Sequence, residues 1–219
     1  MATKAVLAEL ARAFEVRTGC GVAIESVGGV DAAKRVAAGE AFDVVALARD
    51  TIDKLIDGGH LVDGSVVDLV RAGVAVAVPA GTPRPRIDSE DALRRTVVAA
   101  RTVGYSTGPS GVALAKLFER WGIADELRRR IVTAPPGVPV GALVARGEVA
   151  LGFQQLSELI HVGGIDIVGS LPPSIQIVTT FSAAVSVRAR EPDGARVLLE
   201  FMAAPAAADA KRRQGMEPA

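Results

Sequence analysis

The stretch Gly104-Tyr-Ser-Thr-Gly-Pro-Ser-Gly111 joins the short apolar segment Thr102–Tyr105 to a helical pattern over Val112–Trp121. This order predicts a strand, a glycine-rich turn and a helix. The first N–H groups of a helix lack partners and carry partial positive charge, so hydroxyl groups beside them favour an anion or a carboxylate. The same residue types also suit simple helix capping, and both interpretations stay open.

Two classes of phosphate-containing ligand fit this turn poorly. No Gly-Lys-Ser/Thr ending follows its glycines, and the dinucleotide spacing of glycines is absent. The 25 basic residues balance the 25 acidic ones, and aromatic residues make up 4% of the chain. Nucleic-acid binders need excess positive charge or aromatic surfaces on which bases stack. We therefore expect a small anionic ligand and no nucleic acid.

The cysteine and histidine content disfavours a metal site. Cys20 is the single cysteine, so no intrachain disulfide forms, and we expect it to be a small residue at a strand entry. His60 and His161 lie far apart in sequence and form no helical pair of zinc ligands. The sequence predicts neither a metal nor a cofactor.

The amino-terminal pattern bears on location. Residues Met1–Thr18 predict an amphipathic helix without a secretory core or cleavage site, so the chain as written is expected not to be exported. No run of about 18 apolar residues occurs, so we expect no membrane insertion. We also expect a monomer.

Strand and helix patterns alternate along the first part of the chain, as in an α/β fold. Strands are predicted over Gly21–Val27 and Phe42–Ala48, and helices over Asp31–Ala38 and Asp50–Asp57. The apolar run Gly73–Pro79 predicts a strand that is covered on both faces.

The α/β pattern resumes after a proline-containing break at 80–87. A long extended segment over 175–189 and two closing helices, Glu191–Ala203 and Ala206–Arg213, end the chain. The elements predicted between the break and this segment are helices Ser89–Arg95, Val112–Trp121, Ala124–Arg130, Pro139 to about Arg146 and Leu156–Ile160, and strands Thr102–Tyr105, Ile131–Ala134, Val149–Phe153 and Ile165–Val168.

These patterns predict two α/β lobes, each a mixed sheet flanked by helices, with a ligand cleft between them. Lobe 1 comprises residues 1–80 and 181–219, and lobe 2 comprises 81–180, with crossovers near 79–88 and 174–184. Open α/β sheets bind ligands at the carboxyl ends of their strands. The glycine-rich turns Ser26–Val30 and Ala134–Val140 are further candidates for this cleft, although every α/β unit has such turns.

The sequence resembles the molybdate-binding proteins of ABC importers, including an aconitate-isomerase-like branch, which have the type II periplasmic binding-protein fold. The resemblance covers nearly the whole chain and implies the superfamily more firmly than the ligand. The segments that carry it are Tyr105–Gly111, Leu117–Ile123, Val138–Glu148, Leu151–Gln155, Ala33–Gly39 and Phe42–Leu47.

The resemblance implies an oxyanion site built from hydroxyl groups, helix-start amides and a late tyrosine. This sequence departs from it, because the Leu-Gly-x-x-Tyr of the family reads Leu151-Gly-Phe-Gln-Gln155, and the family's first strand would lie before Met1. The ligand contacts implied for this chain are Gly28, Gly29, Val30, Tyr105, Ser106, Thr107, Ser110, Gly111, Gly137, Val138, Gln154 and Gln155.

The leading hypothesis is a solute-binding protein that closes over molybdate or a small di- or tricarboxylate and delivers it to the membrane component of an ABC transporter. The alternative is an isomerase that moves a proton on a tricarboxylate such as aconitate, for which Glu25, Asp31 and Glu158 are the candidate bases. A third hypothesis is a cytoplasmic ligand sensor. The resemblance implies a periplasmic location, whereas the chain, if complete, is expected to be cytoplasmic.

Overall fold

The computed structural model describes residues 2–135 and 137–219. The chain divides into two compact units, of which unit 1 is Met1–Ala72 with Thr179–Ala219 and unit 2 is Gly73–Val178. The lobe boundaries expected from the sequence, 80/81 and 180/181, lie somewhat further along the chain. Within the predicted helix Met1–Thr18 and the predicted turn Ala134–Val140, Met1 and Pro136 are outside the described residues.

Helices and strands alternate along most of the described chain. The helices are α1 Lys4–Thr18, α2 Gly29–Ala37, α3 Arg49–Asp57, α4 Glu90–Ala99, α5 Pro109–Arg120, α6 Ala124–Leu127, α7 Val140–Ala145, α8 Leu156–Leu159, α9 Pro192–Ala203 and α10 Ala208–Arg213. The strands are β1 Val44–Ala48, β2 Val67–Pro79, β3 Val103–Ser106, β4 Ile131–Ala134, β5 Leu151–Gln155, β6 Ile165–Ser170, β7 Val178–Val185 and β8 Glu217–Pro218. No described helix has the length and apolar character needed to span a bilayer.

In unit 1, helices α1 and α9 cover a small antiparallel sheet. Strand β1 pairs with β7 so that Leu47 lies opposite Ser182, and β8 pairs with the first half of β2. The Phe14 and Phe201 rings meet edge to face, with centroids 5.4 Å apart, where α1 packs on α9. Burial of these apolar helix faces against the sheet stabilises the unit.

The strand predicted over Gly21–Val27 is wrong, because residues 19–28 form no strand in the structure. A short apolar segment becomes a strand only where a neighbouring strand supplies hydrogen bonds, and within the described chain β1 pairs with β7 alone. Side chains hold the segment instead. The carboxylate of Glu15 accepts a bond from Val22 N at 2.7 Å, and Arg35 binds both oxygens of Glu25.

Two further predictions change in extent. The strand predicted over Gly73–Pro79 is the second half of β2, which begins at Val67. The extended segment predicted over 175–189 is shorter at both ends, since Pro173–Ile175 forms a 3-10 turn and β7 runs from Val178 to Val185. The proline pair Pro172-Pro173 accounts for the turn, because proline fixes φ and has no N–H to donate to a strand ladder.

In unit 2, the second half of β2 lies between β5 and β6 and is antiparallel to both. Strand β5 continues the sheet to β3 and then β4, and these three strands are parallel. Gly104 of β3 lies beside Gly152 of β5, and a Cβ on either glycine would lie under 3 Å from a valine side chain. This glycine pair lets α7 pack closely on the sheet, with Val144 directly over Gly152.

Candidate functional site

The candidate site lies where the three parallel strands of unit 2 end. Strands β3, β4 and β5 end at Ser106, Ala134 and Gln155, and the next helices are α5, α7 and α8. Because parallel strands present their carboxyl ends at one edge, the three turns lie along the same edge of the sheet. Residues 104–115, 134–145 and 151–157 contain no charged side chain.

Two deeply buried polar side chains at this edge have no internal partner. Ser110 in the first turn of α5 is 9% exposed, and Gln155 at the end of β5 is 5% exposed. Neither the hydroxyl group of Ser110 nor the carboxamide of Gln155 forms a hydrogen bond with any described residue. Among the described residues, the buried side-chain oxygen that lacks a partner is that of Ser157, so the Ser110 hydroxyl and the Gln155 carboxamide each reach solvent. Both groups are therefore free to form hydrogen bonds with a ligand at this edge.

Ser110 and Gln155 belong to the same face of the sheet. The Phe118 ring of α5 contacts the rings of Tyr105 and Phe153, with centroids 6.2 and 6.1 Å apart. Side chains two residues apart on a strand share a face, so Gln155 projects on the α5 side together with Phe153. Ser110, in the first turn of α5, lies on this side as well.

The remaining predicted residues of this turn differ in exposure. Thr107 is exposed, and the Ser106 hydroxyl accepts a long bond of 3.4 Å from Gly108 N. Burial, and to a smaller extent Glu119, raises the pKa of Tyr105 above its usual value of 10.0. The phenol therefore stays protonated near neutral pH and remains a possible hydrogen-bond donor.

Gly111 is a packing residue of the α5 turn. A Cβ at this position would lie 1.7 Å from the carbonyl oxygen of Ser106 and 3.3 Å from the Tyr105 ring. The absence of a side chain lets the start of α5 fold directly onto the end of β3. Gly111 thus shapes the site through the close approach of two backbone segments.

Gln154 projects to the opposite face, where α7 begins. Its side chain is 4% exposed, and its oxygen accepts a bond from Gly141 N at 3.1 Å. Its amide group also donates to Glu158, a half-buried residue of α8. Burial raises the pKa of Glu158 above its usual value, and the hydrogen bond from Gln154 opposes that change. Gln154 therefore links α7 to α8 with both ends of its carboxamide engaged.

The turn before α7 contributes little free hydrogen-bonding capacity at Val138. Its N–H donates to the carbonyl oxygen of Pro135 at 3.0 Å, which closes the turn. Gly137 adopts a left-handed conformation with φ of 78°, which explains a glycine at this position. A side chain there would meet no atom within 4 Å.

The predicted contacts of unit 1 lie at the start of α2. Gly28 precedes the helix, Gly29 begins it, and Val30 is 65% exposed. A Cβ on Gly28 would lie 3.5 Å from a carboxylate oxygen of Asp31. An acidic side chain so near the turn repels an added anion. The start of α2 is thus a weaker anion site than the edge of unit 2.

Two residues near the unit 2 edge carry features that sequence patterns did not reveal. The hydroxyl oxygen of Ser157, in α8, is buried and has no hydrogen-bond partner among the described residues. Glu158 follows Ser157 in the chain, and the sequence alone does not show that this glutamate is half-buried. Within the described ranges, no group of three His, Cys, Asp or Glu residues is placed to hold a metal ion.

Comparison with known proteins places the chain in a family. A model of bacterial extracellular solute-binding proteins matches residues 1–217. The chain belongs to that family. It is also 40% identical to an aconitate isomerase from Pseudomonas sp. over 218 residues, which cover 96% of this chain and 82% of the relative.

Solved structures confirm the predicted fold class. The periplasmic molybdate-binding protein of Azotobacter vinelandii matches with a TM-score of 0.79 and 23% identity, over 98% of this chain and 94% of that one. A spermidine/putrescine ABC transporter substrate-binding protein from Streptococcus pneumoniae matches with a TM-score of 0.69 and 13% identity, over 95% and 78% of the two chains. This solute-binding family member therefore has an α/β fold of the type II periplasmic binding-protein class. One of these neighbours is named for an oxyanion and the other for polyamines, so the fold alone does not determine the ligand.

Proposed function

We propose that this solute-binding family member binds a small organic anion of the di- or tricarboxylate class at the carboxyl ends of β3 and β5. The observation that carries the proposal is the pair Ser110 and Gln155, both buried and both without a partner in the described chain. A hydroxyl group and a carboxamide both donate hydrogen bonds that a carboxylate accepts.

Several features favour a carboxylate over molybdate. Gln155 stands where the molybdate-binding family has a tyrosine, so an amide replaces a phenol hydroxyl. The Gln154 side-chain oxygen already accepts the hydrogen bond from Gly141 N, so this helix-start amide is not available to an oxyanion. The relative at 40% identity is named for an organic tricarboxylate, whereas the molybdate-binding neighbour is 23% identical.

The protein is proposed to act as the substrate-binding component of an ABC importer, outside the cytoplasm. The family description as extracellular solute-binding proteins supports this role, as does the likeness to a transporter's substrate-binding protein. Fractionation of cells that express the natural gene tests the location. Recovery of the protein with cytoplasmic markers would contradict it.

Isothermal titration of the purified protein with trans-aconitate, citrate, sulfate, molybdate and tungstate tests the ligand class. We expect saturable binding of at least one tricarboxylate and weaker binding of the tetrahedral oxyanions. Stronger binding of molybdate or tungstate than of every carboxylate would overturn the carboxylate assignment. The absence of binding heat with all five anions would overturn small-anion binding itself.

A second candidate function is isomerisation of aconitate. The 40% identical relative carries that name, and Glu158 supplies a half-buried carboxylate close to the proposed binding edge. Proton NMR of cis-aconitate incubated with the protein distinguishes binding alone from conversion to the trans isomer.

A further inference from the structure

The surroundings of Glu158 differ from those of Glu25 and Asp31, the other two candidate bases in the sequence. Both oxygens of Glu25 bind the Arg35 guanidinium, at 2.6 and 2.9 Å. Asp31 is exposed at the start of α2. Glu158 is half-buried, and burial is the largest cause of its raised pKa. A carboxylate bonded to arginine is a weak base, whereas a partly desolvated one is stronger.

Glu158 also has a fixed orientation. Side chains of an α-helix lean toward its amino terminus, which for α8 is the carboxyl end of β5. The hydrogen bond from Gln154 confirms this direction, because it joins Glu158 to a residue within that strand. Gln154 is itself held by Gly141 N at 3.1 Å. The carboxylate is thus positioned by a chain of two hydrogen bonds from the first turn of α7.

The two faces of the sheet edge therefore carry different chemistry. Ser110 and Gln155 lie on the α5 face and lack partners, so they suit the binding of a ligand carboxylate. Glu158 and Gln154 lie on the α7 face, where one group is able to accept and return a proton. A ligand that spans the end of β5 would meet both sets.

We propose that Glu158 is the catalytic residue that moves a proton between the two allylic carbons of an aconitate-type tricarboxylate bound at this edge. This inference rests on the proposed binding function. Glu158 takes a proton from the ligand methylene, and the electron pair of that C–H bond becomes a new π bond. The original π pair then forms a C–H bond at the other allylic carbon, with the proton returned by Glu158. No proton, electron or co-reactant is consumed.

The charge of the intermediate explains why this ligand class suits the mechanism. Loss of the methylene proton gives an allylic carbanion, whose charge spreads into the attached carboxylates. Hydrogen-bond donors beside those carboxylates stabilise the developing charge, as Ser110 and Gln155 are placed to do. Positioned general bases contribute roughly 10²- to 10⁴-fold to such steps.

The test uses Glu158→Gln, with Glu148→Gln as the matched control. Glu148 lies in the same unit, and its side chain forms an exposed ion pair with Arg146. Titration with trans-aconitate measures binding, and proton NMR measures conversion of cis-aconitate. We expect E158Q to bind within about threefold of the parent affinity and to convert substrate roughly 10²- to 10⁴-fold more slowly. We expect E148Q to match the parent protein in both measurements.

Deuterium incorporation separates proton transfer from a purely structural role. In D₂O, a proton held on Glu158 exchanges with solvent, so recovered substrate and product should carry deuterium at the allylic carbons. The variant Glu158→Asp keeps a carboxylate one methylene further back, and we expect it to bind normally, to convert at least tenfold more slowly and to retain deuterium incorporation. E158D therefore tests the assignment even if E158Q does not fold.

The outcomes distinguish the two proposals. Conversion by E158Q or E158D at the parent rate would overturn the role of Glu158. A parent protein that binds aconitate without converting it would also overturn this inference and leave the binding function intact. A parent protein that binds none of the tested anions would overturn the binding function as well.

Discussion

The carbonyl oxygen of Ser106 lies 1.7 Å from the position that a Cβ on Gly111 would occupy. Ser106 ends β3 and Gly111 lies in the first turn of α5, so the strand and the helix contact each other through backbone alone. The same turn carries Ser110. The geometry of the proposed binding edge therefore depends on a residue without a side chain.

The substitution Gly111→Ala is expected to destabilise the protein and to abolish ligand binding. A methyl group in that space overlaps a backbone oxygen that no rotamer change relieves, so the start of α5 must move. Overpacking of this kind costs roughly 1–3 kcal/mol or more. Urea denaturation measures the change in free energy of unfolding.

Gly163→Ala is the matched control for this prediction. A Cβ on Gly163 would meet no atom within 4 Å, and its φ is not left-handed. We expect G163A to change the free energy of unfolding by less than about 0.5 kcal/mol. A stability of G111A equal to that of G163A would show that the close contact is not rigid.

Gln154→Leu is expected to destabilise unit 2 and to change the titration of Glu158. The leucine leaves Gly141 N without its acceptor, which costs about 1–3 kcal/mol. It also removes the hydrogen bond that lowers the pKa of Glu158, so that pKa should rise further. Carbon-detected NMR of the Glu158 carboxylate follows the titration, and an unchanged pKa in Q154L would contradict the described hydrogen bond.

Ser182→Ala tests a buried contact of unit 1. Ser182 is fully buried and donates to Asp68 at 2.6 Å, and this bond is the largest cause of the lowered pKa of Asp68. Arg49 binds the same carboxylate oxygen at 2.9 Å. Since Asp68 is partly exposed, we expect S182A to lower the free energy of unfolding at neutral pH by about 1 kcal/mol.

The effect of S182A is expected to depend on pH. A carboxyl group whose pKa is depressed by folding stabilises the protein above its unfolded value, here near 3.8, and loses that contribution as pH falls through the folded pKa. The deficit of S182A should therefore be largest at neutral pH and shrink below about pH 4. In a D68N background, S182A should have a pH-independent effect. A deficit that grows in acid would contradict this account.

The parts of the fold that sequence predicts well are those set by local residue order. The strand, turn and helix over β3 and α5 follow from apolar residues, glycines and a proline that are consecutive in the chain. Gly21–Val27 also contains β-branched apolar residues and forms no strand, because a strand also requires a neighbour that local sequence does not specify.

Local residue order likewise predicts only part of the candidate site. Hydroxyl groups and glycines at a helix start identified Ser110 and Gly111, but not which of them binds and which packs. The difference between Gln154 and Gln155 comes from strand alternation, which directs one to α7 and the other to α5. Glu158 was one of three equivalent acidic residues in the sequence, and its burial distinguishes it only in three dimensions.

Titration of trans-aconitate into the parent protein, Ser110→Ala, Gln155→Leu and the control Ser170→Ala tests the central claim most directly. Ser170 is an exposed serine of the same unit, at the end of β6. Loss of a hydrogen bond to a charged ligand costs about 1.5–3 kcal/mol, so we predict roughly ten- to a hundredfold weaker binding for S110A and Q155L. We predict parent affinity for S170A and folded circular dichroism spectra for all three. Parent affinity in both S110A and Q155L would contradict the claim that these two residues form the binding site.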